Sequence, residues 1–194
     1  MKSVKMTSKT FLILMMAVLI CGPTIALSGS DDIAQIPSCS ICGMDRHKFS
    51  HSRMLLHFED GSKFGACSLH CAALEMAYYP GKVPTQLMVG EYNSRKLIDA
   101  EKAVWVMGGS KMGVMTKNAK WAFTDKEAAQ QFVSKHGGRM VTFEKALSAA
   151  YADMYEDTRM IREKRKKMKH MKKGKTHSRS GHKGMHQHGN QKMN

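Results

Sequence analysis

Residues 53–79 run Arg-Met-Leu-Leu-His-Phe-Glu-Asp-Gly-Ser-Lys-Phe-Gly-Ala-Cys-Ser-Leu-His-Cys-Ala-Ala-Leu-Glu-Met-Ala-Tyr-Tyr, and this stretch decides the fold. Segment 53–58 reads as a strand, Asp60-Gly61 as a hairpin turn, and 63–66 as the return strand. Ser68 stands where it can cap a helix running to about Tyr79, with Leu69, Ala72, Ala73 and Met76 on one face. Pro80-Gly81 stops that helix, and Thr85–Val89 reads as a third strand. The unit is strand, strand, helix, strand.

The same order recurs downstream. Arg95–Ile98 is short and extended, Ala103–Met107 is a strand, and Gly108-Gly109 is a turn. Lys120–Phe123 pairs back, and Thr124 with Glu127 three residues on reads as a capping box. Ala128, Ala129, Phe132 and Val133 form the apolar face of that helix, His136-Gly137-Gly138 ends it, and Arg139–Phe143 is the last strand. Gly61-Ser-Lys-Phe-Gly-Ala-Cys-Ser68 also lines up with Gly109-Ser-Lys-Met-Gly-Val-Met-Thr116, which sets Cys67 against Met115. The expected fold is α+β: two small similar ββαβ subdomains, about 39–95 and 96–147, in a body spanning 39–147. Residues 29–38 read as a linker. A final helix runs from Glu144 to about Lys173, its part beyond the body being a helical extension, 148–173. Residues 174–194 form a Lys/His/Met-rich tail without apolar periodicity, expected to be disordered.

Charge divides the chain the same way. Of 194 residues, 31 are Lys or Arg and 16 Asp or Glu. Residues 159–194 hold thirteen of the basic residues and one acid, Glu163, whereas 29–158 hold fifteen of each sign. A neutral body with a basic tail excludes a globally basic nucleic-acid-binding fold, and no specific nucleic-acid partner is expected. The N-terminus differs again. Lys2, Lys5 and Lys9 precede an apolar run from Phe11 to Ile20, and small residues end at Ala26-Leu27-Ser28. This is the pattern of a secretory signal peptide, 1–28, cleaved after Ser28 to give an exported, periplasmic protein with four cysteines. An uncleaved anchor is the alternative, although the run is short of the roughly 20 residues that span a bilayer. Cys21 follows Ile20, where lipoprotein processing wants a small residue.

Cys39-Ser-Ile-Cys42-Gly43-Met44 and Cys67-Ser-Leu-His70-Cys71 carry the chemistry. A C-x-x-C pair can share one ion or one disulfide, and Cys67 and Cys71 stand one helical turn apart. Three readings compete: four thiolates around structural zinc, two disulfides in an oxidising compartment, or a soft site for Cu(I), which Cys and Met sulfur prefer. Met44 beside the first pair, and Met115 in a Gly/Met-rich loop, favour the third, since zinc gains nothing from a thioether. A thiol oxidoreductase using Cys39 and Cys42 is weaker, because the motif does not open a helix after a strand. With no nucleophile–base set or phosphate loop, the expectation is a binding protein, not an enzyme.

These residues carry a resemblance. Cys-x-x-Cys-Gly-Met near the mature N-terminus resembles the NosL family of copper-binding accessory proteins of nitrous oxide reductase. The likeness continues through the hairpin and Cys67, Glu91-Tyr92, Leu97-Ile98-Asp99-Ala100, Gly113-Val114-Met115, Trp121-Ala122-Phe123, Ala128-Ala129 and Gly137-Gly138, over about residues 38–147. It implies a fold related to that of organomercurial lyase, and a metallochaperone that binds and delivers Cu(I) in denitrification. The implied partners are an apo-cuproenzyme such as nitrous oxide reductase, or its membrane assembly transporter. Met115 matches the family's metal-associated methionine, and Cys39, Cys42 and Met44 match its N-terminal motif. Glu91 stands where the family usually has Asp before an aromatic residue. His70 and Cys71 add donors that the family pattern does not require, which completes the candidate set with Cys67.

The tail offers secondary ligands in His170, Met171, His182, His186 and His188, against its own positive charge. It also suits an anionic membrane surface or another polyanion, and a disulfide-stapled module with a polyanion-binding tail is the alternative to a copper carrier. The bland expectations are Met54, Met76, Met88, Met107 and Met140 as core filler, Trp105 and Trp121 as core or interface residues, and His47 and His51 in solvent.

Overall fold

The computed structural model describes residues 31–180. The chain forms α1 (Asp31–Gln35), β1 (Met54–Phe58), β2 (Lys63–Ala66), α2 (Leu69–Tyr78), β3 (Pro84–Gly90), β4 (Leu97–Asp99), β5 (Val104–Met107), β6 (Lys120–Phe123), α3 (Lys126–His136), β7 (Arg139–Val141), α4 (Phe143–Ala152) and α5 (Met154–Ser180). The fold is α+β, with two antiparallel sheets and helices packed on them. The first sheet has the order β2-β1-β3-β4 and the second β6-β5-β7. In each, the opening strand lies between the strand of its hairpin and the strand that follows the helix.

The β1–β2 hairpin turns where the sequence places it. Gly61 has φ +77°, and the Asp60 carboxylate accepts from the Ser62 N–H at 2.8 Å. Leu55 pairs with Gly65 on one side and Met88 on the other. The sheets meet where Glu91 bridges Ala122 in parallel and the Tyr92 N–H donates to the Ala122 carbonyl at 2.9 Å. Buried residues from both sheets form one continuous core that includes Leu56, Cys67, Trp105, Phe123 and Phe143. Trp105 satisfies its indole by donating to the Ala100 carbonyl at 2.8 Å. Met54 and Met107 are buried, and Met76 and Met140 pack at the core's edge.

Several boundaries differ from the sequence reading. The cap of α3 is Asp125, whose carboxylate accepts from the Ala128 N–H at 2.7 Å, not Thr124. An ionised carboxylate at that position also complements the helix dipole. Thr142 ends β7 early and begins α4, and the single final helix is two, meeting at Asp153. The second helix continues to Ser180, beyond Lys173; residues 181–194, most of the expected disordered tail, lie outside the described residues, as does the signal segment 1–28. The expected linker 29–38 contains α1. The Asp32 carboxylate is buried between two fully buried arginines, 2.8 Å from Arg46 Nη2 and 2.9 Å from Arg53 Nη2. The repeated eight-residue phrase falls on unlike structure. Residues 63–66 are β2, whereas the counterpart of β2 in the second sheet is β6, so Met115 sits in the β5–β6 loop.

Candidate metal centre

The first two thiols are set by a tight knuckle. The Gly43 N–H donates to the Cys39 carbonyl and the Cys39 N–H to the Met44 carbonyl, both at 2.8 Å. Gly43 has φ +74°, which glycine adopts without steric cost. The knuckle is pinned to the sheet where the Ser40 N–H donates to the Gly65 carbonyl at 3.0 Å. Arg46 lies beneath it, donating to the carbonyls of Ile36, Asp32, Met54 and Ala66 at 2.6–3.3 Å. The other two thiols come from the β2–α2 junction: Cys67 follows the last residue of β2, and Cys71 lies in the first turn of α2. Ser52 Oγ donates to the Cys67 carbonyl at 2.8 Å and fixes that corner.

The four Sγ atoms all lie within 4.8 Å of one another. Cys42 and Cys67 are 3.5 Å apart and Cys67 and Cys71 3.7 Å. Four sulfurs at about 2.3 Å from one tetrahedral ion would stand about 3.8 Å apart, so the cage has the size of a metal site. All four are free thiols in this structure. Cys39, Cys67 and Cys71 are buried, and Cys42 is half-buried.

Their charges are shared unevenly. Hydrogen bonds from Cys42, then Cys67 and Cys71, hold the Cys39 thiol far below the ordinary thiol range. Cys42 is pushed up by its bond with Cys39, but bonds with Cys67 and Cys71 outweigh this and lower it. Cys67 and Cys71 are pushed up by their bonds to Cys39 and Cys42, with burial adding to the effect. The knuckle pair, Cys39 and Cys42, is thus favoured to carry negative charge, and Cys67 and Cys71 to keep their protons. A soft cation held by these four sulfurs would need all of them deprotonated, and so would displace the protons that remain.

Cys42 opens onto a cleft of about 400 Å³ lined also by Met44, Phe49, Met112, Met115 and Met168. Met115 holds φ +62°, uncommon for a residue with a side chain. Its loop is tightly packed: a Cβ on Gly113 would stand 2.7 Å from the Thr116 carbonyl oxygen and 2.9 Å from Ala119 Cα. Helix α5 secures the loop from outside. The Asp157 carboxylate accepts from the Lys117 N–H at 3.0 Å, and Asp153 accepts from Asn118 Nδ2 at 2.8 Å and Lys120 Nζ at 2.9 Å.

The remaining candidates are placed differently. His70 is buried beside the cage, its Nδ1 3.5 Å from Asp157 Oδ2, and neither ring nitrogen has a hydrogen-bond partner. Burial lowers its pKa, with the Asp157 charge acting against that. Glu91 is buried, and its Oε2 accepts from the Asn93 and Ser94 N–H groups, so the carboxylate closes a turn. His170 and Met171 are exposed on α5; His182, His186 and His188 lie outside the described residues. His51 is not in open solvent: it is half-buried, with its ring 5.5 Å from Trp121 and 6.0 Å from Tyr92. Sequence reading missed Asp32, Arg46 and Arg53, which hold the knuckle. It also missed Met160 and Met168, which α5 brings to the Cys42 cleft. Only the eight-residue spacing of those methionines hinted that they share a helix face.

Comparison with known proteins now adds a lineage. The NosL family model matches residues 32–151. The chain is similar to the crystal structure of the copper chaperone NosL from Shewanella denitrificans, with 21% identity over 55% of this chain and 87% of that one, and a TM-score of 0.44. Comparison with curated proteins gives no match.

Proposed function

This chain belongs to the NosL family, and from that membership we propose that it is an exported Cu(I) carrier that loads at the cysteine cage and releases the ion by ligand exchange. The observation that supports copper is the company the thiols keep. The half-buried Cys42 shares its cleft with the thioethers of Met44 and Met115. Neutral thioethers suit Cu(I) and offer nothing to Zn(II) or Mg(II). The proposed role is that of a metallochaperone and not of a catalyst. Its recipient is an apo-cuproenzyme of the nitrous oxide reductase kind, or the transporter that assembles one. On this reading the two sheets are two similar ββαβ subdomains, the N-terminal segment directs export, and the basic tail rests on an anionic membrane surface.

The cage explains how one site can both hold and release. Three sulfurs are buried and cannot be reached by a partner while the fold is intact. Cys42 is the exposed corner, so exchange starts there, one ligand at a time. Structural zinc is the second reading, supported by the four sulfurs' mutual approach within 4.8 Å. The deciding experiment is metal content and free-thiol count on protein purified from the periplasm, followed by competition against a chromophoric Cu(I) chelator. About one tightly held Cu(I) per chain supports the carrier; a zinc-filled cage that copper does not displace defeats it.

A further inference from the structure

We propose that Met112, Met160 and Met168 form a second, weaker Cu(I) station at the outer end of the cleft that leads to Cys42. Two of the three come from α5, beyond residue 151 where the family match ends. The inference rests on the copper reading above and extends it to an entry route.

Helix α5 lines one side of the cleft and presents Met160 and Met168 to the same space as Met112, Met115, Met44 and Cys42. Two of the three outer methionines are more exposed than the inner pair, and Met160 between them is half-buried. Met112 is 80% and Met168 52% exposed, while Met115 and Met44 are half-buried against the core. Solvent-exposed methionine is a poor use of an apolar side chain, and a groove with two exposed and three half-buried methionines beside a thiol is a soft-ligand path. Tethers from Asp153 and Asp157 to the Met115 loop keep α5 over the cleft.

Charge orders the two stations. Thioethers are neutral, and Lys164 and Arg165 line the same cleft, so a cation at the outer station has no anionic ligand and nearby positive charge. Binding there is weak and reversible. The cage supplies thiolates, and the same Lys164 and Arg165 stabilise the negative charge of a thiolate-rich complex. Cu(I) therefore moves inward down a gradient of affinity. No electron is transferred: thioether–copper bonds break, thiolate–copper bonds form, and the protons displaced from the thiols pass to solvent.

The test uses the full mature chain, labelled with 13C at the methionine methyls and titrated anaerobically with Cu(I). The first equivalent should abolish thiol reactivity and move the Met44 and Met115 signals. The second should move Met112, Met160 and Met168 together. In the double variant Met160→Leu, Met168→Leu, volume-conserving at one half-buried and one exposed position and so well tolerated, the first equivalent should bind with unchanged affinity. The second should weaken at least about tenfold and loading of the cage should slow. If the thiols take the first equivalent but the second leaves the three methyls unmoved, having gone to tail histidines, the outer station is overturned and the carrier reading stands. If the thiols take no Cu(I), the carrier reading fails first.

Discussion

The Cys42 sulfur stands 3.5 Å from the Cys67 sulfur, although one lies in a half-exposed knuckle and the other at a fully buried strand end 25 residues away. That contact joins the two cysteine pairs into one cage, and it sets the weight of Cys67. The match between Cys67 and Met115 in the repeated phrase would give Cys67 only a minor part, whereas the geometry gives it a central one. Cys67→Ser should weaken Cu(I) binding by at least about tenfold, equivalent to ~1.4 kcal/mol, in competition with a chromophoric chelator. Cys42→Ser should also slow ligand exchange with an acceptor chelator at matched copper occupancy, because the exchange begins there. Wild-type affinity in Cys67→Ser would mean that the ion sits on the knuckle and thioethers alone.

Met115 is the second test. It is half-buried, so Met115→Ala should cost less than the ~2–5 kcal/mol typical of truncating a fully buried methionine, while weakening Cu(I) clearly. Its backbone at φ +62° adds a control. Met115→Gly removes the same thioether and relieves a conformational cost of roughly 1–3 kcal/mol, so it should unfold at a higher temperature than Met115→Ala with the same copper defect. Calorimetry and chelator competition on the pair separate ligand from packing residue; a variant that melts early but binds normally assigns Met115 to packing.

A pH effect follows from His51. Burial, then the Arg95 guanidinium 3.4 Å from its Nδ1, lowers its pKa below the ordinary value of 6.5. The folded state therefore holds His51 neutral, while the unfolded chain takes up the proton first as pH falls. Its contribution to stability is complete above about pH 6.5 and is lost as pH drops through the lower folded value. His51→Phe keeps a ring beside Phe49, Tyr92 and Trp121 and removes the titration. The drop in melting temperature between pH 7.5 and pH 5.5 should be smaller in His51→Phe than in wild type. Equal drops would show that the ring is solvated in both protonation states.

The strands, the two core helices and all four thiols were legible because each rests on a local signal: Asp60-Gly61 for the hairpin, a 3.6-residue apolar period for α2, C-x-x-C for the knuckle. What escaped was decided by long-range placement. Spacing cannot tell that Cys71 turns toward Cys42 and not into the core, nor that Glu91 spends its carboxylate on its own turn. The cap of α3 fell one residue away because Thr124 and Asp125 are both good caps, and it is Asp125 whose carboxylate accepts from the Ala128 N–H. Met160 and Met168 were hidden in a segment whose composition is basic and polar. Their position depends on Asp153 and Asp157, whose partners lie 33–40 residues earlier. Asp32 was the largest omission, since an acid in an apparent linker carries no signal that two buried guanidiniums await it.

Asp32 gives the final prediction. Its two oxygens take bonds from Arg46 and Arg53 at 2.8–2.9 Å, and both guanidiniums are fully buried. Burial lowers the Arg46 pKa, and the Asp32 charge counters it. Removing one member of a buried ion network leaves the others uncompensated, at a cost of about 3–5 kcal/mol. Asp32→Asn keeps the shape and part of the hydrogen bonding but removes the charge, so it should be destabilised nearly as much as Asp32→Ala. Arg46 also holds the carbonyls of Ile36, Met54 and Ala66, so the loss should loosen the knuckle and expose thiols. Denaturant unfolding and the rate of thiol alkylation in the metal-free protein would measure both effects. The two should move together, with Cys39 and Cys42 reacting faster in the variant well below its unfolding midpoint. A variant that loses stability while its thiols stay as protected as in wild type would confine the triad to the fold and detach it from the metal site.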